Sequence, residues 1–472
     1  MMPTAIRPKG KSGFYIGVTC PGCGGELELE NDFFVLTCPH CGSVLRVVMP
    51  EVPPAYVAES KIEKSEMRPR LDRYLKDSGL PLTGTMPEIS ALYYPYWKID
   101  AIVLKLRNRI EERIVAIDEQ YNQEVTVKDA KTDIALTPFM ATVGAGPLSD
   151  DIPYSLGVRA EYIKLRPYAQ ENIADGFECF PVIKPWTEVL LSMEKNVAGM
   201  GNIVQAEFGR NRTELFHPQG AVVFFPYFII TLSLSGKPYR FVMDGMTGRV
   251  TQGAGESGLE ESPAKGESQM SFGRLAVVLH RCPECGVDLP REQSYVYICH
   301  NCQRLIQLER YPQMLQRIGL VVAPRAANDR RYPFWAIELG EKAAVVLRKM
   351  FGGIYNSGWL VVPAFKMANF EGMFKLAKRM SSAYPKLEIG EAEDTDGNYH
   401  PVSVGLHEAL ALAEVIIYRE KISRDHNAKG GHEVIAPERI NLFYMPFHAE
   451  NYFLVDSVMK AVTFEKRAGG FS

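Results

Sequence analysis

Eight of the nine cysteines stand in CxxC pairs. The first four are Cys20 and Cys23, then Cys38 and Cys41. The second four are Cys282 and Cys285, then Cys299 and Cys302. Fourteen residues separate the pairs of the first set and thirteen those of the second. A CxxC turn places two sulfurs on one side of an ion, and a return of this length lets a second turn face the first. Four thiolates at about 2.3 Å complete a tetrahedron around zinc and leave no position open for substrate or water. The expected chemistry is therefore structural: two zinc ions per chain, each in a closed four-cysteine site, and no Lewis-acid catalysis.

Residues around the ligands suit that task. Glu26-Leu27-Glu28-Leu29-Glu30 alternates, Asn31-Asp32 supplies a turn, and Phe33 to Leu36 returns. Val287 and Leu289 lead into the second set, and Tyr295 to Ile298 lead back. Gly24, Gly42 and Gly286 follow the second cysteine of their turns, where positive φ lets backbone N–H groups point at sulfur. Gln303 replaces glycine in the fourth turn. The pattern resembles the zinc ribbons of TFIIB-type transcription factors, RNA polymerase subunits and many bacterial proteins, over about thirty residues per copy. Rubredoxins resemble it too and hold iron in similar turns, with their cysteine pairs further apart in sequence. Beyond the ribbons, the chain loosely resembles bacterial zinc-ribbon proteins that carry no assigned function.

Other candidate chemistry is thinner. His407-Glu408 begins like HExxH, but Ala411 stands where the second histidine belongs. Glu188 and Glu194, like Glu408 and Glu414, are six apart and fall on different faces of a helix, so neither pair makes an acid–base couple. Cys179 lies in an apolar stretch and reads as an inert buried thiol. Asp425 to His432 reads as a polar surface loop. Tyr93, Tyr94, Tyr96 and Trp97 match an aromatic stacking platform in type, yet few basic residues lie near, so a packed β-core is the expectation. Phosphate-loop, dinucleotide and nucleophile-elbow motifs do not occur.

The elements that must position the cysteines repeat with them. Pro181-Val182, Glu188, Leu190 and Glu194 match Pro401-Val402, Glu408, Leu410 and Glu414 without a gap. Pro181 to Pro226 and Pro401 to Pro446 span the same 45 positions. Tyr94-Pro95-Tyr96-Trp97 matches Tyr332-Pro333-Phe334-Trp335, and Asp244 matches Asp456. Helices are expected with one apolar face at Trp186, Val189, Leu190, Met193 and Val197, and at Leu406, Leu410, Ala413 and Ile417. A further helix is expected along Phe370, Met373, Phe374, Ala377 and Met380. The expected fold is α+β with an internal duplication, each half a zinc ribbon followed by an antiparallel-sheet body with one main packing helix. The boundaries are 14–48 for the first ribbon, 89–251 for the first body and 252–272 for a flexible linker rich in Gly, Ser and Glu. The second ribbon covers 276–309 and the second body 325–468. Residues 50–90 read as a loose connection with a short charged helix near Arg70 to Lys76.

Composition is that of an ordinary globular chain: 46% hydrophobic, 23% charged, net charge −3. The most apolar stretch, Ala221 to Leu234, is too short for a membrane helix and is broken by Pro226, so no membrane span is expected. Residues 1–12 lack the apolar core of a signal peptide. With metal-type cysteine spacing, this places the chain in a reducing cytoplasm. The functional expectation is a non-enzymatic adaptor or assembly protein that presents duplicated surfaces to a protein partner. One alternative is nucleic-acid binding through the ribbons and Arg46, Lys61, Lys64, Arg281 and Arg304. Another is a rubredoxin-like iron electron carrier.

Overall fold

Long runs of β-branched and aromatic residues dictate the architecture, because such side chains suit a pleated, buried surface. A computed structural model describes residues 13–29, 35–48, 50, 52–81, 87–118, 123–147, 151–156, 162–201, 212–234, 236–253, 271–302, 304–307, 315–322, 329–341, 344–345, 347–348, 358–367, 370–391, 398–424, 437–460 and 462–465. They divide into two units. The first comprises 1–104, 135–201 and 213–279, the second 105–134, 202–212 and 280–472.

The strands up to Leu279, which belong to the first unit except for residues 105–134 and Arg212, are β1 (Gly13–Thr19), β2 (Glu26–Leu29), β3 (Val35–Thr37), β4 (Val44–Val48), β5 (Ala55–Ala58), β6 (Glu88–Asp118), β7 (Gln123–Gly144), β8 (Tyr162–Pro167), β9 (Phe177–Cys179), β10 (Arg212–Leu234), β11 (Lys237–Asp244), β12 (Val250–Gln252) and β13 (Ala276–Leu279). Helix α1 (Lys64–Asp77) follows β5 and α2 (Trp186–Gly201) follows β9. The main sheet runs β12-β11-β10-β5-β8-β1-β2, with β6 also paired to β10, β7 and β9. It is mixed, not purely antiparallel as expected: β5 lies parallel to β10 and β1 parallel to β8. The described residues of the 50–90 connection form a strand and a helix, where a loose stretch with a short helix was expected. Ala55–Ala58 is buried throughout as a central strand, and α1 buries Met67, Leu71 and Leu75 on one face. Those three pack against Phe228, Ile230, Phe241 and Met243 of β10 and β11. The tyrosines of the Pro-aromatic strand are core: Tyr96 and Trp97 are fully buried, and the Tyr96 and Tyr227 hydroxyls share a hydrogen bond of 2.9 Å.

In the second unit the strands are β14 (Val296–Ile298), β15 (Leu305–Gln307), β16 (Leu315–Val321), β17 (Arg330–Leu339), β18 (Trp359–Pro363), β19 (Ile389–Glu391), β20 (Pro437–Glu450), β21 (Phe453–Asp456) and β22 (Thr463–Glu465). Its helices are α3 (Phe370–Ala383) and α4 (Leu406–Arg424). The sheet order is β18-β17-β20-β16-β19, extended through β21 and β22 beside β20. Again the sheet is mixed, β16 being parallel to β20. Beside the main helices α2 and α4, the first unit thus carries α1 and the second α3. Helix α4 is buried on more than the expected stripe: Ala409, Ala411, Val415, Ile416 and Tyr418 join Leu406 and Ala413 inside, because it is apolar around most of its circumference. Helix α3 takes the expected face and covers the free edge of β18, where the Ser381 hydroxyl accepts the Val361 N–H at 2.8 Å.

The two bodies share their wiring. The Trp97 indole donates to the Lys184 carbonyl at 2.9 Å, and the Trp335 indole to the Val404 carbonyl at 2.9 Å. The Ala145 N–H reaches the Pro95 carbonyl and the Ala364 N–H the Pro333 carbonyl. Tyr227 pairs with Asp244 across one hairpin, Phe447 with Asp456 across the other. Each aspartate then accepts backbone N–H groups two and three residues on, from Met246 and Thr247 and from Val458 and Met459. Finally, β8 lies antiparallel to β5 as β19 does to β16. The bonds at Trp97 and Trp335 and at Asp244 and Asp456 join positions that the sequence register also matches, and those of Ala145, Ala364 and the β5–β8 and β16–β19 pairs extend the match beyond it, which is compatible with duplication.

Candidate metal centres

Each cysteine turn is built the same way. The N–H of the first cysteine is bonded five residues ahead: Cys20 to Gly25, Cys38 to Ser43, Cys282 to Val287 and Cys299 to Arg304, all at 2.8–2.9 Å. Gly24, Gly42 and Gly286 have φ of +72°, +75° and +76°, a region that favours glycine. Their N–H groups donate to the carbonyls of Cys20, Cys38 and Cys282. The N–H groups that face the second sulfur of each turn belong to Gly25, Ser43, Val287 and Arg304, one residue further on. Gln303 lies outside the described residues. Gly25 has a second constraint, because a Cβ there would lie 2.4 Å from the His40 ring.

In the first site the expected single hairpin between the pairs is replaced by two. β1 and β2 close around Cys20 and Cys23, with Thr19 opposite Glu26. β3 and β4 close around Cys38 and Cys41, with Thr37 opposite Val44. β1 continues into the body through β8, and Lys164 of β8 forms an ion pair with Glu26. That pair holds the Glu26 carboxyl below its ordinary range. On the other side β13 adds to β4, from Ala276 opposite Val48 to Leu279 opposite Leu45. These residues lie in the segment that sequence assigns to the second ribbon. Val277 and Leu279 pack with Leu27, Leu45, Cys20 and Cys38 in a small apolar core.

The second site uses the hairpin of β14 and β15 for Cys299 and Cys302, and an Arg281–Asp288 bridge for Cys282 and Cys285. Its core is Leu289, Tyr297, Ile306, Cys282 and Cys299. Ser294 fastens it to the body. The buried hydroxyl accepts the Val402 N–H at 3.0 Å, and the Tyr295 N–H reaches the Val402 carbonyl at 2.8 Å. Val296 enters the body core beside Trp335 and Leu406. No sequence signal marked Ser294, since its partner lies 108 residues away.

The sulfurs converge. All four in each set lie within 4.8 Å of one another. Closest pairs are Cys20–Cys41 and Cys23–Cys38, both 3.8 Å, and Cys282–Cys302 at 3.7 Å and Cys285–Cys299 at 3.5 Å. A tetrahedron with metal–sulfur bonds of about 2.3 Å has edges of about 3.8 Å, whereas a disulfide would bring two sulfurs to about 2.05 Å. Both sets could therefore hold a metal ion. Their protonation is uneven. Ser43, through hydroxyl and N–H, holds Cys41 down at about 6, and the Asn301 side chain with the Val287 N–H does the same for Cys285 at about 6. Cys23 and Cys302 receive N–H bonds from Gly25 and Arg304, but burial and the crowding of the other sulfurs outweigh them and push both to about 12. A bound cation relieves that crowding by displacing the remaining protons.

The other candidates do not assemble into sites. Glu188 is exposed on α2 and Glu194 half-buried, and Glu408 and Glu414 are half-buried on α4. The His407 side chain and residues 425–432 lie outside the described residues. Cys179 sits half-buried, and burial raises its thiol to about 11 against the opposing hydrogen bond of Tyr168. Of the basic residues flanking the ribbons, Arg281 is paired to Asp288 at 3.0 Å and Arg304 to Glu284 at 2.5 Å. No helix among the described residues is long and apolar enough to cross a membrane. Comparison with protein-family models, with curated proteins and with solved structures finds no match.

Proposed function

We propose that both four-cysteine sets hold zinc as a structural ion, and that the chain is a non-enzymatic adaptor or assembly protein. In this reading the two halves descend from one ribbon-plus-body unit and present paired surfaces to a protein partner. The observation that carries it is the closure of both sites. Four sulfurs at tetrahedral spacing leave a bound ion no coordination position for chemistry, so the ion's work is to hold hairpins in place. The attachment of each site to its body supports the same view. Strands β1 and β13 tie the first site, and Ser294 ties the second. Small hairpins of this kind bury too little apolar surface to persist alone, and a metal supplies the missing stability.

Cross-linking of the tagged protein in its native host, followed by mass spectrometry, tests the adaptor role. The expected result is a reproducible protein partner whose cross-links map to the body surfaces and disappear when Cys41→Ser and Cys285→Ser are combined. Turnover of a small-molecule substrate by the metal-loaded protein, with no partner cross-linked, would overturn it. Colour and elemental composition separate zinc from iron: the proposal expects a colourless protein.

A further inference from the structure

A groove of about 480 Å³ lies on the second unit, away from the cysteines, and four cations line it: Lys375, Lys378, Arg379 and Lys386, with the Ser382 hydroxyl among them. No carboxylate is among the lining residues. The chain as a whole is net negative, so this charge is a local concentration. It follows from helix geometry: positions 375, 378, 379, 382 and 386 recur at three- and four-residue steps along the exposed face of α3 and the turn after it. Ala383, Met459 and Val462 complete the wall of the groove, whose exposed lining is mostly apolar and which opens broadly to solvent.

That wall is fixed in place. The buried Asp456 carboxylate accepts the N–H groups of Val458, Lys460 and Val462, at 3.2, 3.0 and 2.6 Å, and so sets the course of the loop. Lys460 has φ of +54°. Its counterpart in the first unit is Gly248, with φ of +68°. The loop shape demands a left-handed residue that glycine supplies without cost, yet the second unit puts another lysine there, beside Met459. Arg379 is held as well, its guanidinium donating to the Thr463 carbonyl and hydroxyl at 3.2 and 2.9 Å.

We propose that this groove binds a small molecule of nucleotide size that carries two or more phosphate groups. Its volume is that of small-ligand clefts. Lysine ammonium groups act as point charges toward phosphate oxygens, Arg379 adds directed donors, and Met459 with Val462 faces the non-phosphate part, while the Ser382 hydroxyl donates to the Lys378 carbonyl at 3.2 Å. Four cations around one cavity match the charge density of adjoining phosphates. An extended acidic peptide spreads its carboxylates at about 3.3 Å or more per residue, and single-stranded nucleic acid calls for aromatic platforms that the lining lacks.

Titration calorimetry on the full-length, metal-loaded chain tests this, with inorganic pyrophosphate and adenosine triphosphate as probes. An oligonucleotide and a poly-glutamate peptide serve as competitors. The expected result is saturable binding of one phosphate ligand per chain, weakened on the order of tenfold or more by Lys375→Glu and by Lys386→Glu, and by added salt. Lys195→Glu, at an exposed position on α2, should leave it unchanged. Both reversals fall at exposed positions, and circular dichroism reports whether either variant misfolds. Absence of saturable binding, binding that neither reversal weakens, or heat that tracks loss of metal from the chain would overturn the proposal. So would tight binding of the oligonucleotide or the peptide without the small phosphates.

Discussion

Two thiols in each four-cysteine set are shifted in opposite directions, one lowered and one raised. The lowered thiols, Cys41 and Cys285, are thiolates above about pH 6 and become protonated as pH falls through it. Only a thiolate ligates metal, and Cys23 and Cys302, raised to about 12, must each lose a proton on binding, so zinc uptake by the stripped protein should already weaken about tenfold from pH 8 to 7 and fall more steeply below pH 6. Stopped-flow competition with a chromophoric chelator would read this. Ser43→Ala removes the first cause of the lowering at Cys41 and should move that fall upward for the first site alone. Cys179 has the opposite sign. Its pKa of about 11 keeps it a protonated thiol through the neutral range, so alkylation of the metal-loaded chain at Cys179 should still be accelerating at pH 10. Mass-spectrometric mapping of iodoacetamide labelling checks it. A plateau near pH 8.5 would place Cys179 in water. The indole bonds carry a stability prediction. Trp335→Phe leaves the buried Val404 carbonyl without its donor and should cost about 1–3 kcal/mol, read as a lower urea midpoint at unchanged slope.

At the scale of elements, the chain shows which signals sequence carries. The ligands, three of their glycines, α2 and the buried face of α3 were legible, because metal spacing and a 3.6-residue period are local properties. Residues such as Ser294 and Ser381 were not, because each acts on a backbone group far away in sequence: Val402 and Val361. β5 was missed for a related reason. Ala55–Ala58 is four residues long and buried on both faces, so it has no alternation to read. β13 was missed because its partner β4 lies on the far side of the first body in sequence. Helix α4 misled by excess: with apolar residues around most of its circumference, the predicted stripe was only part of what is buried. These long-range fasteners can be tested. Ser294→Ala and Ser381→Ala each strip a partner from a buried N–H and should each destabilise by about 1–3 kcal/mol. Ser294→Ala should also raise amide exchange in β14 and β15 above that in β20, since it loosens the second site from its body. Equal protection in both would show that Val296 alone holds the ribbon.

At the scale of the molecule, the proposed duplication would account for two four-cysteine sets in one chain. The matched wiring of Trp97 with Trp335, Pro95 with Pro333, and Asp244 with Asp456 shows that the aligned residues do equivalent work in each unit. The units diverge in how they finish that shared core. The first adds α1 after β5, while the second adds α3 after β18 and gives it a basic face. On this account metal fastens what is common, and partner or ligand selection lies in what differs. The most direct test of the central claim is native mass spectrometry of the full-length chain with elemental analysis. The account predicts two zinc ions per chain, one in Cys41→Ser, one in Cys285→Ser and two in Cys179→Ser. A metal-free chain that remains folded, or loss of both ions on a single substitution, would contradict it.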